Sequence, residues 1–172
     1  MLLTPRIAGT VAFLQVPAAV IVLLQANGSC RMDGYIDPTK DAFSTFRAND
    51  RPGPVQMLNL VRFREHAIYP DGRNAKGAEA YADYARESQP VFQRVGGQII
   101  WRGRFELTLI GPQSEVWDEC FIAEYPSVAA FVEMIRDPDY RIAVVHRQAA
   151  VLDSRLIRLE QAVAGAAFGG SV

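Results

Sequence analysis

The stretch that decides the fold is Trp117–Leu159, WDECFIAEYPSVAAFVEMIRDPDYRIAVVHRQAAVLDSRLIRL. Its apolar start and its apolar end each predict a strand. Ser127 lies where a helix N-cap is expected, and Asp137 followed by Pro138 ends this helix and begins a second one, because aspartate caps helices and proline suits the first turn. The stretch therefore predicts a strand, an interrupted helix and a returning strand.

The residues before this stretch supply the other half of the domain. Strands are predicted at Val55–Phe63, Gln98–Ile110, Trp117–Tyr125 and Leu152–Leu159, and a first main helix is predicted at Ala78–Val95. The order strand, helix, strand, strand, helix, strand is a split βαβ arrangement. We therefore expect an α+β, ferredoxin-like fold, with a four-stranded antiparallel sheet and both helices on one face.

Apolar side chains are abundant on both faces of the predicted sheet. They are Leu58, Leu60, Ile99, Trp101, Phe121, Ile122, Leu156 and Ile157. The two helices cover one face only, and a large exposed apolar face is rare on a soluble monomer. The pattern therefore predicts a homodimer that packs these faces together as a dimeric α+β barrel.

The barrel domain is assigned to residues 54–160. Residues 32–53 form an N-terminal extension that contains a short helix at 38–49, with its apolar residues along one side. Residues 161–172 are rich in alanine and glycine and are expected to be a flexible tail. A polar loop at 64–76 is long for a compact domain, which is typical of mobile or functional loops.

The first 31 residues differ from the rest of the chain. An apolar run from Ile7 to Leu24 follows Arg6, as in a secretory leader. The run is too short and too interrupted for a stable membrane span. Because the soluble pattern begins directly after Met32, we interpret 1–31 as a misassigned upstream segment and the protein as cytoplasmic. The alternative is a genuine leader, with an exported or membrane-tethered protein.

Composition disfavours several classes of function. The 172 residues carry a net charge of −1, with no basic excess for nucleic acid. The two cysteines cannot form a disulfide framework, and two distant histidines, His66 and His146, give little support for a metal or haem site. No nucleotide-binding motif is present, so we expect no cofactor and no metal.

Two strand residues are candidates for ligand binding. Asn59 lies between Leu58 and Leu60, where its amide could bind a ligand oxygen or could simply hold a neighbouring strand. Arg102 has a guanidinium suited to a carboxylate, or to an ion pair with Glu119 or Glu106 on an adjacent strand.

The last helix offers three more candidates. Tyr140 and Arg147 share one helix face and could orient an oxygen-bearing substrate. His146 points about 100° away at 3.6 residues per turn and could move a proton. The alternatives are a surface histidine and an arginine that interacts favourably with the helix dipole.

Several short motifs occur in a characteristic order between Tyr84 and Leu159. They are Phe92 with Gly96-Gly97, Arg102-Gly103, Glu124-Tyr125-Pro126-Ser127, Asp137-Pro138-x-Tyr140, and Arg147 followed by alanines. In this order and spacing the chain resembles the family called domain of unknown function 1330, over most of residues 54–160. The resemblance implies a dimeric α+β barrel of unassigned activity. The chain departs from the compact pattern through the extension at 32–53 and the loop at 64–76, which we expect to cover a cavity mouth.

The leading functional hypothesis is an uncharacterised homodimeric barrel that binds a small apolar, oxygenated molecule. One alternative, by analogy with other dimeric α+β barrels, is a cofactor-independent monooxygenase or isomerase-like enzyme. Another is a non-catalytic binding or stress-related module. Asn59, Arg102, Tyr140 or Arg147 pointing into a cavity would favour the enzyme, whereas a closed apolar barrel would favour the non-catalytic module.

Overall fold

The computed structural model describes residues 34–162, which contain four helices and four strands. In chain order these elements are α1 Lys40–Ala48, β1 Val55–Phe63, α2 Gly77–Arg94, β2 Gln98–Gly103, β3 Glu119–Tyr125, α3 Val128–Arg136, α4 Pro138–Ala150 and β4 Val151–Leu159. The strands form one antiparallel sheet in the order β2-β3-β1-β4. The predicted ferredoxin-like α+β fold is confirmed.

Capping residues set the helix boundaries as predicted. The Ser127 hydroxyl accepts a hydrogen bond from the Ala130 N–H at 3.1 Å and begins α3. The Asp137 carboxylate accepts from the Asp139 N–H at 2.8 Å and begins α4. Gly96 has a φ of 79°, a conformation that favours glycine, and directly follows the end of α2.

The predicted second strand is too long. Strand β2 ends at Gly103, and residues 104–118 are irregular rather than a strand up to Ile110. Gly103 pairs with Cys120 at the start of β3, so the chain beyond Gly103 has no pairing partner within the described sheet. Leu109 and Ile110 are consequently 85% and 95% exposed. A strand-like sequence alone does not make a strand where no neighbour accepts its hydrogen bonds.

Strand register divides the side chains between the two faces of the sheet. Because side chains alternate along a strand, residues that pair across strands form rows on one face. We call the face toward the helices the covered face; two of its rows are Ile99–Ala123–Met57–Arg158 and Arg102–Phe121–Asn59–Leu156. On the opposite, helix-free face, the central row is Trp101–Ile122–Leu58–Ile157.

The hydrophobic core lies between the covered face and the helices. One cluster joins Val55, Met57 and Tyr125 of the sheet to Val91 of α2 and Met134 of α3. A second cluster is centred on Val61, Val151 and Tyr81, and it includes Tyr69 from the 64–76 loop. Helix α1 contributes no buried residue. The extension contributes partly buried residues instead, since Phe46 packs against the first cluster and Ile36 against the second.

Residues 1–31, Met32 and most of the predicted tail lie outside the described residues. The predictions made for them, including a protein start at Met32, therefore stay predictions. Within residues 34–162, no helix has both the length and the apolarity needed to cross a lipid bilayer.

Candidate functional site

A cavity of about 1650 Å³ lies on the covered side of the sheet. Its lining comes from the extension, from α2, α3 and α4, and from the sheet, mainly its covered rows. Four of the five candidate residues line it: Asn59, Arg102, Tyr140 and Arg147. The structure therefore brings together side chains that are up to 88 positions apart in sequence.

Two tyrosines meet inside the cavity. The hydroxyls of Tyr84 on α2 and Tyr140 on α4 are 3.2 Å apart and share a hydrogen bond. Burial, with a smaller contribution from Tyr84, raises the pKa of Tyr140 well above its ordinary value. Burial also raises the pKa of the neighbouring Tyr81. These phenols therefore stay protonated at neutral pH and act as hydrogen-bond partners.

Asn59 and Arg102 belong to the same covered row. The Asn59 Nδ2 donates to the Met57 carbonyl of its own strand at 2.9 Å. The Arg102 Nε lies 3.9 Å from the Glu119 Oε2, and its guanidinium lies over the Phe121 ring. Arg102 thus makes the contact with Glu119 that was the alternative to ligand binding, whereas Asn59 bonds within its own strand and not to a neighbouring one; both still line the cavity.

Arg147 fastens the N-terminal extension to the domain. Its Nη1 donates to the Ile36 carbonyl at 2.6 Å and lies 3.8 Å from the Asp37 Oδ1. Its Nη2 donates to the Ser154 hydroxyl at 3.2 Å, and that hydroxyl donates to the Tyr35 carbonyl at 2.6 Å. The partner of this arginine therefore comes from a segment 111 residues away.

His146 is not part of the cavity lining. It is 9% exposed and lies between the 64–76 loop and α2. The Tyr69 hydroxyl is 2.6 Å from its Nδ1, and the Glu87 Oε2 is 3.1 Å from its Nε2. Each ring nitrogen therefore has a polar partner. The histidine that could have moved a proton is thus engaged away from Tyr140 and Arg147.

The 64–76 loop does not cover the cavity as expected. No residue of this loop is in the lining, because Tyr69 holds it against His146 and Ile68 donates its N–H to the Ala149 carbonyl at 2.9 Å. The extension fills this position instead, since Tyr35 to Thr39 and one side of α1 line the cavity. Of the two insertions expected at the cavity mouth, only the extension reaches it.

The sequence analysis missed Arg158 on β4. It lies in the covered row with Met57 and lines the cavity. Its Nη1 donates to the Phe46 carbonyl at 3.0 Å, and its guanidinium carbon lies 5.0 Å from the centroid of the Phe46 ring. Because side chains alternate along β4, Arg158 and Ile157 could have been predicted to point to opposite faces of the sheet. Only the strand register shows that Arg158 is the one on the side of the helices.

Comparisons with known proteins agree with the fold. The methylated RPA0582 protein, known from a crystal structure, is 69% identical with a TM-score of 0.77; the match covers 78% of this chain and 99% of that protein. A second crystal structure is that of the RPA0582 protein of unknown function from Rhodopseudomonas palustris, which is 68% identical in sequence with a TM-score of 0.74. This match covers 76% of this chain and 99% of that protein. No curated protein matches the chain.

The sequence pattern of one family matches part of the chain that builds the cavity. Its match covers residues 73–160, just over half of the chain, and includes α2 to β4. The predicted resemblance is thereby confirmed, and the chain belongs to the family described as domain of unknown function (DUF1330).

Proposed function

We propose that this protein binds a small apolar, oxygen-bearing organic molecule in the cavity on the covered face. The observation that carries the proposal is the composition of the lining. Aromatic and aliphatic side chains make up most of the lining, and the polar side chains among them include Asn59, Arg102, Arg147 and the hydrogen-bonded Tyr84–Tyr140 pair. Small-molecule sites have this character, because apolar walls supply affinity and a few polar groups fix orientation.

The polar groups favour an oxygen atom in the ligand. The Asn59 amide, the two phenols and the arginines can all donate hydrogen bonds toward the cavity space. A hydroxyl, carbonyl or carboxylate accepts such bonds, whereas a hydrocarbon would leave the polar groups without compensation.

One observation favours the enzymatic alternative. Asn59, Arg102, Tyr140 and Arg147 all line the cavity, and this was the arrangement expected of a cofactor-independent enzyme. Such a reaction also needs a group that accepts a proton. Among the described lining residues the only carboxylate is Asp37, which lies 3.8 Å from Arg147, and His146 lies outside the lining. Binding is therefore the function we propose.

Binding can be tested with 2-naphthalenemethanol, an apolar ring system that carries one hydroxyl. Calorimetric titration of the full chain should show saturable binding. Asn59→Leu retains most of the side-chain volume and removes the amide. It should weaken binding about 3- to 10-fold, the effect of one hydrogen bond.

Asn74→Leu is the matched control, because Asn74 is exposed on the 64–76 loop and does not line the cavity. It should leave the affinity unchanged. The proposal is wrong if the wild-type chain does not bind the alcohol, or if both substitutions have the same effect.

We also propose that two copies of the chain pack through the helix-free face. The central row of this face is apolar across all four strands, and Trp101 and Ile157 are 51% and 43% exposed. A polar row borders it, in which Glu124 accepts hydrogen bonds from Gln56 and Gln98 at 3.0 Å each. A twofold axis would bring the same apolar row of both copies together. Light scattering on the full chain should give about twice the chain mass of 19.0 kDa.

A further inference from the structure

The charged residues of the cavity lining are unevenly distributed. Four arginines line it, Arg102, Arg147, Arg155 and Arg158, against one carboxylate, Asp37. Three of the arginines have acidic partners within 4.0 Å, which are Glu119, Asp37, and Asp153 together with Glu115. Arg158 has no acidic partner at this distance among the described residues. The cavity therefore holds one cation that the described part of the chain does not neutralise.

The hydrogen bonding of Arg158 is also incomplete. Its Nη1 donates to the Phe46 carbonyl, but its Nη2 is buried from solvent and has no hydrogen-bond partner within residues 34–162. A buried donor without an acceptor is destabilising, and more so when the group is charged. A buried donor without an acceptor calls for an explanation, and an acceptor supplied by a ligand is one.

The surroundings of Arg158 define the rest of such a ligand. Aromatic rings follow one another from Phe46 to Phe131, Tyr125 and Phe92, with neighbouring ring centroids between 4.9 and 5.5 Å apart. All four line the cavity. Aromatic walls of this kind pack against planar apolar groups. The same site thus offers a cation for an anionic end and an aromatic wall for an apolar body.

We infer that the cavity ligand carries a carboxylate on an aromatic or similarly planar body, and that the guanidinium of Arg158 binds this carboxylate. The inference rests on the proposed function, because it names the class of ligand for the same cavity. A carboxylate accepts strong charge-assisted hydrogen bonds from a guanidinium. It would neutralise Arg158 and supply an acceptor to a guanidinium that has one unpartnered donor among the described residues.

Two probes with the same ring test this inference. The anion 2-naphthoate and the neutral 2-naphthalenemethanol are titrated into the full chain at neutral pH by calorimetry. The wild-type chain should bind naphthoate at least 10-fold more tightly than the alcohol. Arg158→Met keeps the apolar stem and removes the charge. It should weaken naphthoate binding about 10-fold or more, as for loss of a hydrogen bond between charged groups, and leave alcohol binding within about 2-fold.

Arg141→Met is the matched control, because Arg141 is exposed on α4 and does not line the cavity. It removes one positive charge and should leave both affinities unchanged. Equal loss of naphthoate binding in the two variants would overturn the inference, since it would show an effect of net charge alone. If Arg158→Met does not fold, Arg158→Lys replaces it. This variant keeps the charge but loses the planar fork, so naphthoate should bind at least about 3-fold more weakly, and unchanged affinity would overturn the inference.

The outcomes separate this inference from the proposed function. If neither probe binds the wild-type chain, the proposed function is wrong and the inference falls with it. If both probes bind equally well and Arg158→Met changes neither affinity, the cavity binds small molecules but Arg158 does not select a carboxylate.

Discussion

The covered and the helix-free faces of the sheet are made by the same four strands, yet they differ in chemistry. On the covered face, apolar residues alternate with Asn59, Arg102 and Arg158, and a cavity remains above them. On the helix-free face, the central row is apolar from Trp101 to Ile157 and borders a hydrogen-bonded polar row. Polar groups within an apolar lining suit a bound molecule, whereas a continuous apolar row suits another protein surface.

Two adjacent residues of strand β4 show the difference between the two faces. Ile157 pairs with Leu58 on the helix-free face, and the adjacent Arg158 pairs with Met57 on the covered face. Neighbouring positions can therefore serve different purposes, and substitutions on either face should have separable effects.

The largest effect is expected from a charge in the helix-free row. Ile122→Asp places a carboxylate at the centre of this face, opposite Leu58 and Trp101. An unpaired charge buried between two copies is strongly destabilising. The variant should therefore have a mass near 19.0 kDa by light scattering, half the mass expected of the proposed dimer. Ile142→Asp is the matched control, since Ile142 is 66% exposed on α4, and it should remain dimeric. A dimeric Ile122→Asp variant would contradict the proposed interface.

The next effect concerns the covered face at high pH. Burial raises the pKa of Tyr81, Tyr125 and Tyr140 above the ordinary value of 10.0. Their contribution to stability is fully present below pH 10 and is lost as the pH rises, because the unfolded chain releases these protons first. The free energy of unfolding should fall by up to about 1.4 kcal/mol per pH unit for each phenol.

Denaturant unfolding between pH 8 and pH 11.5 measures this decline. Tyr125→Phe removes one of these phenols and should make the decline above pH 10 shallower by up to about 1.4 kcal/mol per pH unit. A slope equal to that of the wild-type chain would show that Tyr125 ionises without unfolding.

A smaller effect is expected at the contact that fastens the extension over the cavity. Arg147→Met removes the hydrogen bonds to Ile36 and Ser154 and the ion pair with Asp37. It should lower the free energy of unfolding by about 1.5–3 kcal/mol. It should also speed hydrogen exchange in residues 34–48, because the Ile36 carbonyl loses its anchor. Unchanged exchange in the extension would show that Arg147 does not hold it. Arg141→Met, on the exposed side of the same helix, serves as the control.

Much of the fold could be predicted from local sequence patterns. The bounds of β1, the caps at Ser127 and Asp137 and the break between α3 and α4 depend on neighbouring residues, and the structure confirms them. The end of β2 could not be predicted this way, because it depends on where β3 begins. Local sequence can favour a strand, but the strand forms only where a neighbouring strand is available to pair with it.

Fewer of the residues in the candidate site could be grouped from the sequence. Tyr140 and Arg147 could be grouped because helical spacing relates them. Arg158 and Asn59 lie on the same face only through the register between β1 and β4, which no local pattern encodes. The contact between Arg147 and Ile36 spans 111 residues, so the role of the extension was hidden as well.

The irregular pairing at Ile100 decides which side chains of β2 face the cavity. Ile99 pairs with Ala123 and Trp101 with Ile122, so Ile100 is one residue in excess on β2. Because side chains alternate between the two faces, this extra residue reverses the facing of every later position in β2. Without the shift, the indole of Trp101 would enter the cavity and the guanidinium of Arg102 would join the opposite face. Deleting Ile100 preserves the facing of both side chains, whereas adding one further residue before it would exchange them. The extra residue in β2 therefore sets which face of the sheet Trp101 and Arg102 occupy.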